Sequence, residues 1–404
     1  ELAYWGWGTK APTPVPTPEP NATNTPLREA AASHGVLMGT SLAYSVDEAY
    51  RRIVVKHYNL ATPETACGWA NVRPSPGVFD FTACDAAFDF TTHAMNATWR
   101  GSSLVWGELA PAWVEALPDP GAKRNALVEH VQKVIRHYGS RAYVWDVVSQ
   151  AVTDDATAAD PLKKTWTLGS LTKDHAWYPD VPDYIDIVFM AARLAGGSSA
   201  RLLYNDYHIA SCAEGHWMKT KSDRVYALVE GMVNRSIPID GVGVQMHLDV
   251  SWDEPSLYEG TRLNFARYEK LGLEVHVSEL EVSCQSWSEE VEAQQAEMYA
   301  KLLRICLESP ACKSFSTNGF TDKSAARGAG QHPLPFDEAF RPKAALTRMV
   351  EVLLAPQPPS TKLPSNASAS PAPAPSQSPN ATLPSDANEI SAPTPASAPG
   401  TGWR

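Results

Sequence analysis

Residues 124–150 of the chain read RNALVEHVQKVIRHYGSRAYVWDVVSQ. The first part of this stretch places apolar side chains three and four positions apart, which predicts an amphipathic helix. Gly139 follows, as is common where a helix ends. The next run, AYVWDVVS, is rich in β-branched and aromatic residues and predicts a buried strand. Ser149 and Gln150 are polar residues at the carboxyl end of that strand. A helix followed by a buried strand is the repeating unit of an α/β fold.

Seven further runs predict strands of the same kind: GVLMGTS (35–41), RIVVKHYN (52–59), TWRGSSLVW (98–106), RLLYNDY (201–207), IDGVGVQMH (239–247), LEVHVSE (273–279) and SFSTNGF (314–320). Helical patterns such as SEEVEAQQAEMYAKLLRICLES (288–309) lie between them. Strands that alternate with helices predict a parallel sheet with helices on its outside. Eight such units predict a single α/β domain, a (β/α)8 TIM barrel.

Polar and aromatic residues recur where the predicted strands end. They are Trp106, Ser149, Gln150, Asn205, Asp206, Gln245, His247 and Glu279. One such residue alone is more often structural than functional. The carboxyl ends of all strands of a closed barrel meet on one rim, and barrel active sites are built there. The sequence therefore predicts a functional site on that rim.

The two ends of the chain differ in composition from its middle. More than half of the 33 prolines lie before residue 27 or after residue 355, and neither end has a hydrophobic period. Such segments are typical of disordered, extended spacers. We therefore divide the chain into a linker at 1–29, a barrel at 30–355 and a Pro/Ser/Ala-rich stalk at 356–404. The opening residues ELAYWGWG resemble the last strand of an upstream domain.

The charge of the chain limits the classes of molecule that we expect it to bind. The formal net charge is −11 and no basic cluster occurs, which argues against a nucleic-acid surface. No apolar run approaches the length of a membrane span. The cysteines show no CxxC pair and no histidine at zinc-finger spacing, so we predict neither a metal site nor a cofactor.

Cysteines and glycosylation sequons indicate the compartment. The chain has six cysteines, and Cys306 and Cys312 are close enough in sequence to close a short loop, so we predict a disulfide between them. The other pairings stay open. N-x-S/T sequons occur at Asn21, Asn96, Asn234, Asn366 and Asn380. Together these features predict a secreted glycoprotein of the extracellular space or cell wall.

The motifs in residues 34–353 resemble those of glycoside hydrolase family 10, the endo-β-1,4-xylanase family. The matching segments, in order, are TPETACGW, PSPGVFDF, RGSSLVWGELAPAW, YVWDVVSQA, LYNDYHI, GVGVQMHL, VHVSELEV and GFTDK. The resemblance implies a retaining glycosidase with two catalytic carboxyl groups. It places the nucleophile at Glu279 and the general acid/base at Gln150. It also implies sugar-binding or supporting roles for a further set: Glu64, Trp106, Trp145, Ser149, Asn205, Asp206, Gln245, His247 and Glu281.

Several positions depart from the family pattern. Gln150 replaces the glutamate that transfers the proton, and Ser149 replaces the preceding asparagine. The other departures are Thr65, Gly68, Ser102, Gly107, Leu109, Asn318 and Ala326. At Asn318 and Ala326 the family pattern has tryptophans over the sugars on either side of the cleaved bond. A single engineered change at Gln150 would not explain the others.

An amide has no proton that it can transfer near neutral pH, so Gln150 cannot act as the acid or the base. Asp154 and Asp155 follow on the same loop and are the nearest substitutes in sequence. Two functions stay open. One is a retaining glycosidase of altered specificity and weak activity, with Glu279 as the nucleophile. The other is a non-catalytic module that binds a β-1,4-linked polysaccharide such as xylan, or that has a structural role among neighbouring domains or wall and surface glycoproteins.

Overall fold

The structure is a computed structural model and describes residues 24–43, 47–162, 165–168, 171–174, 176–325 and 330–356. Its strands are β1 (Leu37–Leu42), β2 (Leu60–Pro63), β3 (Thr98–Gly101), β4 (Val105–Trp106), β5 (Val144–Ser149), β6 (Thr165–Leu168), β7 (Leu171–Asp174), β8 (Arg201–Tyr207), β9 (Gly241–Gln245), β10 (His247–Asp249), β11 (Glu274–Ser283) and β12 (Cys312–Thr317).

The helices are α1 (Leu27–Ala30), α2 (Glu48–His57), α3 (Trp69–Val72), α4 (Thr82–Asp89), α5 (Ala112–Glu115), α6 (Pro120–Tyr138), α7 (Tyr184–Gly196), α8 (Lys219–Asn234), α9 (Pro255–Lys270), α10 (Glu289–Glu308) and α11 (Ala344–Leu354). Within the described part of the chain, none of them combines the length and the apolar character that a membrane span requires.

The main sheet closes into a barrel. Around it the strands run β1, β2, β3, β5, β8, β9, β11 and β12, with every neighbouring pair parallel, and β12 pairs with β1 to complete the circle. Two short strands extend it at one end, where β4 pairs with β5 and β10 pairs with β11. β6 and β7 form a separate antiparallel hairpin. The predicted (β/α)8 barrel is confirmed.

The helix and strand predicted from residues 124–150 form as α6 and β5. Pro120 lies in the first turn of α6, and the side chain of Asp119 caps it by accepting a hydrogen bond from the amide of Ala122 over 2.8 Å. The helix ends at Gly139, whose φ of +56° suits a residue without a Cβ. All six residues of β5 are buried, because a strand of a barrel has side chains in the barrel interior on one face and helices over the other.

The prediction of a strand at 52–59 is wrong. Most of this run belongs to α2, and the second barrel strand is β2, at Leu60–Pro63. Tyr50, Val54 and His57 are the buried residues of the helix, spaced three and four apart. Asp47 caps it by accepting from the amides of Ala49 and Tyr50. The β-branched run at 53–55 favours a strand only weakly, and the helical spacing of the buried face prevails.

The structure confirms the disulfide between Cys306 and Cys312 and adds a second one, between Cys67 and Cys84. Cys212 and Cys284 are free thiols within the described residues. The Pro-rich ends that we predict to be disordered lie outside the described residues, except for 24–29 and Pro356. The boundaries at residues 29 and 355 remain predictions. Helix α1, at Leu27–Ala30, is part of the described body and contacts α11.

Candidate active site

A cavity of about 410 Å³ opens at the carboxyl ends of the barrel strands. Its wall combines acidic, aromatic and small polar residues: Ser41, Thr62, Pro63, Glu64, Thr65, Gly68, Trp69, Ser102, Ser103, Trp106, Leu109, Asp146, Gln150, His247, Glu279, Asn318 and Ser324. Five of the residues that the sequence assigns to the site line this cavity: Glu64, Trp106, Gln150, His247 and Glu279. Residues from the ends of several strands therefore meet at one cavity, as the sequence predicts.

Gln150 is the first residue after β5, and its backbone turns sharply there. Its φ is +57°, in the left-handed region that residues other than glycine enter rarely and that often marks functional positions. The amide N–H donates to the carbonyl of Asn205 over 2.8 Å. The side-chain Nε2 donates to Oε1 of Gln245 over 3.0 Å. The side chain is thus buried in the cavity wall in a defined position.

Glu279 reaches the cavity from β11, and two side chains contact its carboxylate. Nδ2 of Asn205 donates to Oε1 over 3.4 Å, and Nε2 of His247 lies 3.4 Å from Oε2. Asn205 is itself oriented by Ser278, whose hydroxyl donates to its Oδ1 over 2.8 Å. Asn205 therefore contacts both predicted catalytic positions: its backbone carbonyl accepts from the amide of Gln150, and its side chain donates to Glu279.

His247 lies between two carboxylates. Its Nδ1 is 2.8 Å from Oε1 of Glu281, which is buried, and its Nε2 faces Glu279. Burial disfavours a charged imidazole, but the hydrogen bonds and negative charges of Glu279 and Glu281 outweigh burial and raise the pKa of His247 to about 9. At neutral pH the ring is therefore an imidazolium, and Glu279 has a positively charged partner in the cavity wall.

Glu64 and Asp146 add two further acidic groups to the wall. Burial, together with the negative charge of Glu279, raises the pKa of the Glu64 carboxyl. Burial also raises the pKa of Asp146, although Arg100 opposes this shift with hydrogen bonds of 2.9 and 2.6 Å to the two carboxylate oxygens. Arg100 is fully buried inside the barrel. The motif WDVVSQ contains Asp146, but nothing in the sequence identifies Arg100 as its partner.

Three of the predicted sugar-binding residues lie behind the wall. Ser149, Asn205 and Gln245 are all buried, with 1%, 1% and 2% of their surface exposed. Ser149 shares a hydrogen bond of 2.5 Å with Ser103. In this structure these residues orient Gln150, Glu279 and the wall of the cavity, and their contact with sugar stays a prediction.

Comparison with known proteins identifies the family. The model of glycosyl hydrolase family 10 matches residues 26–352. The chain belongs to glycosyl hydrolase family 10. It is similar to endo-1,4-beta-xylanase B of Neocallimastix patriciarum, with 31% identity over 299 residues, which cover 74% of this chain and 32% of that protein. It is also similar to endo-1,4-beta-xylanase B of Thermotoga neapolitana, with 27% identity over 344 residues, covering 82% of this chain and 92% of that protein.

Solved structures of family 10 enzymes share the fold. Native xylanase 10B from Thermotoga maritima superposes with a TM-score of 0.72 and 30% identity, covering 81% of this chain and 98% of that one. Xylanase 10B from Thermotoga petrophila, solved in complex with xylobiose, gives the same score and identity, covering 82% of this chain and 97% of that one. The resemblance of the motifs to family 10 is thereby confirmed.

The departures from the family 10 pattern are concentrated in the cavity. Thr65, Gly68, Ser102 and Leu109 line it, as does Asn318. Asn318 accepts a hydrogen bond from Ser41 over 3.3 Å and donates to Glu281 over 3.5 Å. It therefore joins Ser41 to Glu281 in the cavity wall, and it has no ring that could cover a sugar. Ala326 lies outside the described residues.

The two acidic residues after Gln150 have other partners. Asp154 lies 2.9 Å from the ammonium of Lys221, and Tyr207 donates a hydrogen bond to it. Burial opposes ionisation of Asp154, but hydrogen bonds and Lys221 outweigh it and lower its pKa. Asp155 accepts from the amide of Thr157 over 2.8 Å and is exposed. Neither residue lines the cavity, so neither is placed to transfer a proton at the position of Gln150.

Proposed function

We propose that this family 10 barrel binds a β-1,4-linked xylose chain and that Gln150 deprives it of the proton transfer that efficient cleavage requires. The observation that carries the proposal is the position of Gln150. Its amide lies in the wall of the same cavity as Glu279 and is oriented by Gln245 and Asn205. A retaining glycosidase needs an acid at one side of the bond and a nucleophile at the other, and at the position that matches the acid this cavity has an amide.

The residues that contact Glu279 support its role as the nucleophile. Nucleophilic attack requires a carboxylate, and the His247 imidazolium and Asn205 are placed to orient it. General acid–base catalysis contributes about 10²–10⁴-fold to such reactions. A substrate whose leaving group departs without a proton does not need the acid in the first step, in which the bond to Glu279 forms. The expected activity is therefore confined to activated glycosides.

The substrate class rests on relatives and on the wall residues that match the family pattern. The relatives above are endo-1,4-beta-xylanases, and one structural neighbour was solved with xylobiose. Glu64 and Trp106, which match the family pattern, line the cavity and supply a hydrogen-bonding group and an aromatic ring. Xylan is the ligand that these features support best.

We also propose that the protein acts outside the cell, as a secreted glycoprotein. Two disulfides favour an oxidising compartment. The two sequon asparagines within the described residues, Asn96 and Asn234, are exposed and accessible to glycan addition. A role within wall or surface assemblies is consistent with these features, and the experiment below separates binding from a purely structural role.

The test compares the native chain with Gln150→Glu and Glu279→Ala on two substrates. With 2,4-dinitrophenyl β-xylobioside, the native chain should release the phenolate, and Glu279→Ala should not. Azide should accelerate turnover of the native chain, because an anionic nucleophile attacks the glycosyl–enzyme carbon and displaces Glu279 without a general base. With xylan, only Gln150→Glu should release reducing sugars.

Calorimetric titration with xylo-oligosaccharides completes the test. Binding without hydrolysis of xylan by the native chain supports the proposal. Hydrolysis of xylan by the native chain at rates similar to Gln150→Glu would show that another acid acts. Absence of both turnover and binding in all three proteins would leave a structural role for the barrel and contradict the proposal.

A further inference from the structure

Leu109 is an exposed apolar residue in the wall of the cavity. It ends the short turn Gly107–Leu109 that follows β4, and 47% of its surface is accessible to solvent. At this position the family 10 pattern has a glutamine, whose amide can hydrogen-bond to a sugar hydroxyl. A leucine cannot. A single exposed leucine on an outer surface needs no explanation, but one that lines a binding cavity offers its apolar surface to the ligand.

Other apolar residues continue the surface of Leu109 along the cavity wall. They are Pro63, Trp69 and Trp106. Two buried rings stack on Trp69, with centroid distances of 3.8 Å to His130 and 5.0 Å to Trp177. This packing fixes the ring of Trp69 before any ligand arrives, so ordering it costs little free energy on binding.

Two further departures from the family 10 pattern reduce the hydrogen-bonding capacity of the same wall. Gly68 stands where the pattern has a lysine, and Ser102 stands where it has a histidine. Both residues line the cavity. Together with Leu109, they replace three long polar side chains by two small residues and one apolar side chain. The wall therefore leaves more room and offers fewer hydrogen bonds to the ligand than the pattern would.

This composition favours a sugar whose hydroxyl carries a small apolar group. A free hydroxyl that packs against Leu109 loses its hydrogen bonds to water and gains none from the side chain, which costs free energy. An acetyl ester or a methyl ether on the same oxygen has no O–H to desolvate. Its methyl group is instead buried against the leucine, which lowers the free energy of the complex.

We infer that Leu109 determines specificity and that the cavity takes a β-1,4-linked xylose chain with a small methyl-terminated group, an acetyl ester or a methyl ether, on a sugar oxygen. The inference rests on the proposed function, since it assumes that the cavity binds a xylose chain. It names the form of that chain which binds most tightly. The ester and the ether share the methyl group that contacts Leu109, and the experiment separates them.

Calorimetric titration of the whole chain with three preparations of xylotetraose tests the inference. The first is partially O-acetylated, the second is the same preparation after mild alkaline deacetylation, and the third is partially O-methylated. The native chain should bind the acetylated preparation about fourfold more tightly than the deacetylated one, the effect of burying one methyl group at about 0.8 kcal/mol. Equal affinity for the methylated preparation would include ethers in the ligand class, and weaker binding would confine the class to esters.

Three variants locate the source of this preference. Leu109→Gln, which restores the residue of the family pattern, should abolish the fourfold difference. Leu109→Ala, which shortens the apolar side chain without adding a polar group, should reduce it. Leu263→Gln is the matched control, because Leu263 is a leucine of α9 with a similar exposure, 49%, that does not line the cavity. It should keep the fourfold difference. Thermal unfolding of all three should match that of the native chain, since both leucines are exposed.

The outcomes separate this inference from the proposed function. If the native chain binds the deacetylated preparation as tightly as the acetylated one, or more tightly, the inference is wrong and the proposed function stands. A preference that persists unchanged in Leu109→Gln and Leu109→Ala would also overturn the inference, because Leu109 would not be its source. If the native chain binds none of the three preparations, both the inference and the proposed function are wrong.

Discussion

Gln150 donates a hydrogen bond from its Nε2 to Oε1 of Gln245 over 3.0 Å. Both side chains are buried, with 8% and 2% of their surface exposed. The partner of the predicted acid/base position is therefore an amide, which can accept from Gln150 or, after rotation of its terminal group, donate to a carboxylate. Position 150 can therefore hold either glutamine or glutamate. In both cases Gln245 offers the side chain a hydrogen-bond partner.

Gln150→Glu is therefore expected to fold with a free energy of unfolding within about 1 kcal/mol of the native value, because the hydrogen bond to Gln245 is kept. Urea denaturation near pH 7 measures this difference. Gln245→Leu is the contrasting variant and should cost about 1 kcal/mol or more, since it removes the partner. A large loss of stability in Gln150→Glu would show that Gln245 cannot reorient.

The pairing of His247 with Glu279 and Glu281 predicts a pH dependence of stability. The folded pKa of about 9 lies above the ordinary value of 6.5, so the stabilisation is complete below about pH 6.5 and is lost as the pH rises through about 9. The difference corresponds to a stabilisation on the order of 3 kcal/mol.

Chemical denaturation of the native chain and His247→Asn at pH 6, 8 and 10 measures this effect. The native chain should be the more stable at pH 6, and the gap between the two should narrow by pH 10. A gap that is constant across this range would contradict the raised pKa.

The buried ion pair of Arg100 and Asp146 is expected to show a large coupling energy in the free energy of unfolding. Arg100→Met should lower the free energy of unfolding by about 3–5 kcal/mol, because it leaves a buried carboxylate without its cation. The double variant Arg100→Met/Asp146→Leu should recover much of this loss. Urea denaturation of the two single variants and the double variant gives the coupling energy. Additive losses would show that the two side chains act independently.

The two disulfides are expected to differ in effect. Cys67 and Cys84 are 17 residues apart, and Cys67 is adjacent to Gly68 of the cavity wall. Their replacement by serine should cost about 3 kcal/mol in the loop-entropy model and should also weaken xylo-oligosaccharide binding. Replacing Cys306 and Cys312, which are 6 residues apart, should cost about 2 kcal/mol and leave binding unchanged. Calorimetry measures both quantities, and equal effects on binding would argue against a link between Cys67 and the cavity.

Glycans at the two described sequons are expected on the face opposite the cavity. Asn96 lies just before β3, and Asn234 ends α8 just before β9, so both are near the amino ends of the strands. After expression in a secretory eukaryotic host, enzymatic deglycosylation should lower the mass, and Asn96→Gln with Asn234→Gln should reduce that change. Oligosaccharide binding should be unaffected by glycan removal. A change in binding would place a glycan near the cavity. Asn21, Asn366 and Asn380 lie outside the described residues.

The prediction of the fold from sequence depended on a repeated local pattern. α6 and β5 formed as predicted because their apolar spacing, their cap and the glycine between them all favour the same elements. The prediction of a strand at 52–59 was wrong because the β-branched residues of this run suggest a strand, whereas its buried residues follow a helical period. A local preference of a few residues is weak beside the burial of a whole helix face.

The sequence by itself indicated a family 10 barrel, because its motifs resemble those of the family, and the same resemblance places an amide, Gln150, at the position of the acid. Only the tertiary structure decided what each site residue contacts. It showed Asn205 between Gln150 and Glu279, Asn318 bonded to Glu281, Arg100 paired with Asp146, and Cys67 joined to Cys84. The physical reason is that these contacts join residues far apart in the chain. Their distances depend on how the barrel closes and not on any local pattern.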